Sequence, residues 1–265
     1  MKTMANQGLV YDIKPRIADS AYVEAPFDEG KKMLEEAGYR IISAEENARL
    51  RIQEGKEADI SKNGNWTREG FVYVPNEAYV YLTKASPIME NPSEATQAHK
   101  AGKEFYPLIE QIQRAIENSV KIPYTQKPIP TDRFGENDIT LFAFGQNAQV
   151  YGDFLRNGEP QINEISVYLV DKSNVKEKAF ARQLWLGFLD YRSDLSGNYG
   201  SLNCLNRVRG VPSQAAEGSA AAQKNLSCIN STEEIKLYAN EDISRALNGL
   251  NLSGLESIII QKLSQ

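Results

Sequence analysis

Histidine and cysteine are almost absent from this chain of 265 residues, which contains one histidine, His99, and two cysteines, Cys204 and Cys228. Zinc sites use several His and Cys ligands at characteristic spacing, and a Ser-His-Asp triad would have to use the single His. His99 lies in the polar stretch EATQAHKAGKEF, where a solvated residue on a helix face is expected. The sequence therefore predicts no metal site, no catalytic triad and no cofactor.

Long apolar runs and clusters of basic residues are missing too. No run is long enough to cross a bilayer, and the start, MKTMANQGLVYDIKPRIADS, lacks the apolar stretch of a signal peptide. Acidic and basic residues are interspersed and the formal net charge is -5, which disfavours binding to phosphate backbones. We therefore predict a cytoplasmic protein without a membrane span or a nucleic-acid partner. In that compartment its cysteines are expected to be free thiols.

Helix and strand patterns alternate up to residue 211. Ser43 and Glu46 have the spacing of a capping box, in which each residue satisfies a free backbone amide of the other. Gly38 predicts the end of the preceding helix. Helices are predicted in DEGKKMLEEAG, SAEENARLRIQEG, YPLIEQIQRAIENSV and NAQVYGDFLRNG. Strands are predicted in YRII, in DITLFAFG, EISVYLVD and AFARQLWLGFLD, and in REGFVYVPNEAYVYLTK as a hairpin.

The composition changes near Pro212, where the small-residue stretch PSQAAEGSAAAQKN begins. Two helical patterns follow it, the second with capping-box spacing at Ser253 and Glu256. We predict an N-terminal segment (1–24), an α+β domain (25–211), a linker (212–230) and a helical C-terminal tail (231–265). Within the domain, Trp66 and Trp185 are expected to be core aromatic residues.

A further absence is local: residues 186–206 contain no Lys, Glu, Gln, Met or Trp. Lys and Glu are among the commonest residues of ordinary domains, so their joint absence over this span is informative. The span consists largely of Asn, Tyr, Asp, Ser, Gly and Leu, and it ends just before the β-branched segment RVRGV. Ordinary turns also recruit Asn, Gly and Ser, so a plain structural loop is the alternative reading.

Two segments resemble C-type-lectin-like domains of the formylglycine-generating-enzyme type. GYRIISAEENARL (38–50) is similar to the opening helix of that fold, and RVRGV (207–211) is similar to its final strand. They stand in the expected order at opposite ends of the predicted domain. The resemblance implies a loop-rich C-terminal half that presents a ligand face.

Within that fold, residues 190–211 resemble the variable region of proteins diversified by retroelements, of the archaeal type. There, adenine-directed mutagenesis rewrites chosen codons. An Asn codon begins with two adenines, and changing them while keeping the final pyrimidine produces Tyr, Asp, Ser, Gly or Cys, among others. It never produces Lys, Glu, Gln, Met or Trp, which are the residues absent here. In that family the variable region usually closes the chain, whereas here residues 212–265 follow.

The resemblance divides this region into framework residues and face residues. The framework residues, of which the apolar ones should be buried, are Trp185, Arg192, Leu195, Gly197, Leu202 and Val208. The face residues, which should project toward a ligand, are Tyr191, Asp194, Ser196, Asn198, Tyr199, Ser201, Asn203, Cys204 and Asn206. Tyr gives contact area at low entropic cost, and Ser and Asn hydrogen-bond in many geometries.

The resemblance thus implies a variable protein that binds a macromolecule, with a protein as the expected target, and no catalysis. Two alternatives remain open at this point. An enzyme of the formylglycine-generating kind would use cysteines with bound metal, but only Cys204 lies inside the predicted domain and the Arg-Gly-Gly-Ser-Trp signature is missing. A structural or assembly protein of the same fold could use its C-terminal helices to join a partner.

Overall fold

A computed structural model describes residues 10–11, 20–189 and 193–213. The predictions for Tyr191 and Arg192, for Cys228, and for the linker and helical tail lie outside these residues. The boundary near Pro212 accordingly stays a prediction.

The helices begin and end largely where local signals predict. Ser43 caps the second helix: its Oγ accepts a hydrogen bond from the Glu46 amide at 3.1 Å, and the Glu46 carboxylate accepts one from the Ser43 amide at 2.9 Å. Gly38 follows the first helix with a φ of 84°. The helices are α1 (Phe27–Glu36), α2 (Ala44–Glu54), α3 (Asp59–Lys62), α4 (Pro92–Lys100), α5 (Ile109–Glu117), α6 (Asp138–Phe144) and α7 (Ala148–Arg156).

The strands pair into one mixed sheet. They are β1 (Val10–Tyr11), β2 (Ala21–Ala25), β3 (Tyr39–Ile41), β4 (Asn65–Tyr73), β5 (Tyr79–Thr83), β6 (Ser119–Pro123), β7 (Ile129–Pro130), β8 (Glu164–Tyr168), β9 (Phe180–Leu186), β10 (Ser193–Ser196) and β11 (Asn206–Pro212). The order along the sheet is β1-β2-β11-β4-β9-β10-β8-β7, with β3 paired to β11, β5 to β4, and β6 to β5. The predicted hairpin is confirmed as β4 and β5, which pair antiparallel.

Strand β11 brings distant parts of the sequence together. It pairs antiparallel with β2 and with β3, where Gly210 lies opposite Ile41 and Val211 opposite Arg40. The GYRII and RVRGV segments are therefore neighbours in one sheet, as the predicted fold requires. Strand β2 begins four residues before the predicted domain start at 25, so Ala21–Ala25 belong to the sheet.

The two largest hydrophobic clusters of the described residues, the first and second cores, lie on this sheet. The larger one packs α2, α6 and α7 against the strands, and its rings include Phe71, Tyr73, Phe134 and Phe144. The other contains Phe27 of α1 together with Trp66, Trp185, Leu202 and Val208. Both tryptophans are buried, which confirms their predicted core position. Leu202 and Val208 belong to this second core, whereas Leu195 of β10 belongs to the first.

One strand prediction is wrong, because DITLFAFG forms helix α6. The Oδ1 of Asn137 accepts hydrogen bonds from the amides of Ile139 and Thr140, which caps the helix start. Gly145 ends the helix with a φ of 63°. Ile139, Thr140, Ala143 and Phe144 are the buried residues of this helix. Their spacing is helical, but the apolar and β-branched composition resembled that of a buried strand.

The amphipathic helix predicted in YPLIEQIQRAIENSV is present as α5, but it begins at Ile109, after Pro107. Leu108 is therefore at the N-cap position, where it is 68% exposed. Among the described residues, no helix has the length and apolar character needed to span a membrane.

Candidate ligand-binding face

The β10–β11 loop (197–205) connects two strands near the middle of the sheet. Strand β10 lies between β9 and β8, with Ser196 opposite Trp185 of β9. Strand β11 lies between β2 and β4. The loop therefore emerges from a rigid base, which is the usual arrangement for a binding loop on a scaffold.

The described framework residues are buried as predicted. Leu195, Leu202 and Val208 are fully buried, and Trp185 is 5% exposed. Gly197 lies against the side chains of Phe71 and Tyr73, where an added Cβ would come within 2.6 Å of both. These contacts join the loop to both cores.

The described face residues divide by exposure into exposed, half-buried and buried groups, the last containing Ser196. Asn198, Tyr199 and Cys204 are exposed, and Asp194, Ser201, Asn203 and Asn206 are half-buried. Ser201 and Asn203 hydrogen-bond to each other through their side chains. Tyr191 lies outside the described residues.

Ser196 is the exception, since only 4% of it is exposed. Its Oγ accepts a hydrogen bond from the Asn198 amide at 3.3 Å. The prediction that Ser196 projects outward is wrong, because β10 is covered on both faces. Simple alternation of inward and outward positions does not hold for such a strand.

Tyr199 is only partly free of the scaffold. Its ring stacks on the Trp185 indole with centroids 4.5 Å apart and planes 12° apart. Trp185 in turn packs edge-on against Trp66 at 5.0 Å. Gly64 leaves room for the Trp185 ring because it has no side chain. A Cβ at this position would lie 2.3 Å from that ring. Tyr199 is nevertheless 43% exposed, so one side of its ring remains open to a ligand.

A cleft of about 340 Å³ lies beside Tyr199. Phe188, Tyr199 and Leu205 line it and are each more than 40% exposed. The rim carries both signs of charge, from Glu24, Lys62 and Arg207. The sequence reasoning missed Phe188 and Leu205, although both lie in the span 186–206 that lacks Lys and Glu. They were assigned neither to the framework nor to the face, because the exposure of an apolar residue cannot be read from its identity.

Arg207 and Arg209 of β11 form a network of ion pairs and ring contacts next to the cleft. Both guanidinium groups pair with the Asp59 carboxylate, Arg209 at 2.6 Å. Both also lie over the Tyr22 ring, at 4.3 and 4.9 Å from its centroid. Stacked and bidentate arginines hold their geometry well, so this network stabilises the strand that carries Asn206.

His99 supports the loop at Leu202. Its Nδ1 accepts a hydrogen bond from the Leu202 amide at 3.3 Å, and the Leu202 carbonyl accepts one from the Phe27 amide at 2.8 Å. The prediction of a solvated helix-face histidine is therefore wrong. Burial, and to a lesser extent the positive charge of Arg182, lowers the pKa of His99 to about 4.

We expect acid to weaken this support. Because the pKa of His99 is lower in the folded chain than the ordinary 6.5, the unfolded chain binds the proton more readily. His99 then contributes stability that is complete above pH 6.5 and is lost as the pH falls toward 4. Between pH 7 and pH 4.5, the free energy of unfolding should fall by about 2 kcal/mol more in the wild type than in His99→Gln. Urea titrations at both pH values measure this difference, and equal losses would contradict the assignment.

The face is equipped for binding by contact. It combines aromatic and aliphatic surface with amide, hydroxyl and thiol groups. Among the described residues, no cluster of His, Cys, Asp and Glu is arranged to hold a metal ion.

Comparisons with known proteins agree with the architecture. No family model and no curated protein matches the chain. A solved structure from Nanoarchaeota, in which the C-type lectin fold accommodates massive sequence variation, is similar with a TM-score of 0.57 and 19% sequence identity. The alignment covers 75% of this chain and 99% of that one. The chain therefore has a C-type lectin fold, as its sequence predicts.

Proposed function

We propose that this chain is a ligand-binding variable protein whose β10–β11 loop presents a face diversified by a retroelement, and that its target is a macromolecule, a protein in particular. The observation that carries the proposal is the difference in exposure within residues 193–206. The framework residues Leu195, Gly197 and Leu202 are buried, whereas every described face residue except Ser196 is exposed or half-buried. A face of this kind can change its side chains without changing its fold.

The chemistry of the face supports a macromolecular target. Phe188, Tyr199 and Leu205 supply apolar contact area, and aromatic residues dominate the energetics of many protein interfaces. Asn198, Ser201 and Asn203 supply hydrogen-bonding groups around it. The cleft is shallow and continuous with the exposed loop, which suits a protein surface. The neighbour's sequence variation within the same fold is consistent with this function.

The diversification is tested by sequencing the gene and its flanking DNA from many members of the source population. We expect a reverse transcriptase gene and a near-identical template repeat of the codons for 186–206. Substitutions should concentrate at the exposed and half-buried face residues and should never yield Lys, Glu, Gln, Met or Trp. The matched comparison is Leu195 and Leu202, whose codons should stay constant. Variation spread evenly over face and framework codons would rule the proposal out.

Binding is tested with a displayed library in which the face residues from Asn198 to Asn206 are randomised over the same residue set. Selection against a panel of unrelated proteins should yield folded, target-specific members. A control library that randomises Leu195, Leu202 and Val208 should yield few folded members. Failure of the face library to retain folded protein would show that the loop is ordinary scaffold.

A further inference from the structure

A second cleft, of about 430 Å³, shares no lining residue with the ligand-binding face. It lies where the N-terminus of α2 meets β4 and the residue that follows β5. The side chains that matter for its chemistry belong to Ser43, Glu45, Arg49, Arg68, Glu69 and Lys84.

The cleft has a surplus of positive charge. Within the described part of the chain, Arg49, Arg68 and Lys84 have no carboxylate at ion-pair distance. Arg68 Nε donates only to the Lys84 carbonyl, at 3.4 Å, and Lys84 Nζ lies 4.9 Å from the centroid of the Phe142 ring. The carboxylate of Glu46, which also lines the cleft, is bound by Arg40 at 2.5 Å. Besides the buried Glu69, the half-buried Glu45 is the carboxylate that remains in the cleft lining against the three cations.

Glu69 adds an unusual buried group. It is fully buried, its Oε2 accepts a hydrogen bond from the Ala44 amide at 2.9 Å, and its Oε1 has no hydrogen-bond partner among the described residues. The Thr67 hydroxyl lies close to it but outside hydrogen-bond geometry. Burial raises the pKa of Glu69. Burial thus favours the protonated form of Glu69, in which Oε1 can donate a hydrogen bond because Oε2 already accepts one.

The uncommitted groups therefore favour the same kind of ligand. Two guanidinium groups and one ammonium group donate hydrogen bonds and carry positive charge, so they require acceptor oxygens. The N-terminus of α2 adds a favourable field for negative charge. Guanidinium and ammonium groups together are the usual partners of carboxylates and phosphates.

We propose that this cleft binds a small molecule carrying two negative charges on carboxylate or phosphate oxygens, with Arg49, Arg68 and Lys84 as its ion partners. The site is independent of the proposed function of the β10–β11 loop. It does not require that loop to vary, and the two are tested separately.

Isothermal titration calorimetry of the full chain tests the proposal with two probes, inorganic phosphate and succinate, in chloride buffer of matched ionic strength. At least one probe should bind saturably, and the probe that binds identifies phosphate or carboxylate as the preferred oxyanion. The double variant Arg49→Gln/Lys84→Met keeps the aliphatic stem of residue 84 over Phe142 and should weaken binding by about tenfold or more. The control Lys103→Met removes an exposed lysine elsewhere and should leave the affinity within about twofold.

Melting curves establish that each variant is folded before titration. If the double variant melts early, Arg49→Gln alone carries the test, because Arg49 is exposed on α2; about threefold weaker binding is then expected. The isosteric Glu69→Gln keeps both an acceptor for the Ala44 amide and a donor for the ligand, so affinity should be retained. The proposal is overturned if neither probe saturates, if loss of the cations has no effect, or if folded Glu69→Gln no longer binds.

Discussion

Replacing Arg51 with methionine should lower the free energy of unfolding by about 3–5 kcal/mol. Arg51 is fully buried and is one of the largest fully buried side chains. Its guanidinium group donates to the Tyr151 hydroxyl at 2.9 Å and to the backbone carbonyls of Gly187 at 2.7 Å and Ile60 at 3.1 Å. Methionine of similar length fills much of the space but leaves these acceptors buried without donors, which costs about 1–3 kcal/mol each.

The Arg51→Met substitution should also affect the ligand-binding face, because Gly187 lies just after β9, at the start of the segment that lacks Lys and Glu. Urea denaturation of the full chain, evaluated by linear extrapolation, measures the loss. Arg49→Met is the matched control, since it changes an exposed arginine on the same helix and should alter stability by no more than about 0.5 kcal/mol. Similar values for the two variants would show that Arg51 does not organise this junction.

Trp185→Ala should lower the free energy of unfolding by about 3–5 kcal/mol, whereas Tyr199→Ala should lower it by about 1 kcal/mol. Trp185 is 5% exposed and packs between Trp66 and Tyr199, so its removal leaves a cavity in the second core. Tyr199 is 43% exposed and loses mainly its stacking contact. The stacking makes the expected cost for Tyr199 larger than that of an ordinary surface residue.

The two variants together test the division into framework and face. Thermal and urea unfolding measure stability. Binding is measured by introducing Tyr199→Ala into target-binding members selected from the face library that retain Tyr199. Tyr199→Ala should weaken such binding by about 1–4 kcal/mol while the chain stays folded. A large loss of stability in Tyr199→Ala would place Tyr199 in the framework and remove the central residue of the proposed face.

The features predicted correctly from sequence depend on short-range interactions. The capping box of Ser43 and Glu46 and the positive φ of Gly38 involve atoms a few residues apart, so the residue types alone reveal them. The β4–β5 hairpin has the same local origin, because its turn lies between two strand-forming runs. Where composition and spacing disagreed, as in α6, composition misled, since burial of Ile139 and Phe144 depends on packing against other helices and strands.

Prediction of the ligand-binding face from sequence is limited in the same way. The restricted residue set of 186–206 and the buried Leu195 and Leu202 are visible in the sequence. The burial of Ser196 is not, because it depends on the packing of the folded chain over both faces of β10, where the adjacent Leu195 and Ser196 are both buried. The support of Leu202 by His99 joins residues that are far apart in the sequence, and no local pattern indicates it.

By itself, the sequence determined the capped start of α2, the β4–β5 hairpin and the restricted residue set of the β10–β11 region, because each follows from residue identity over a short span. The tertiary structure decided which residues of that region are exposed, how Tyr199 stacks on Trp185, and that Arg49, Arg68 and Lys84 line one cleft with Glu69. Those properties arise from contacts between segments brought together by the sheet, and burial and uncompensated charge exist only after such contacts form.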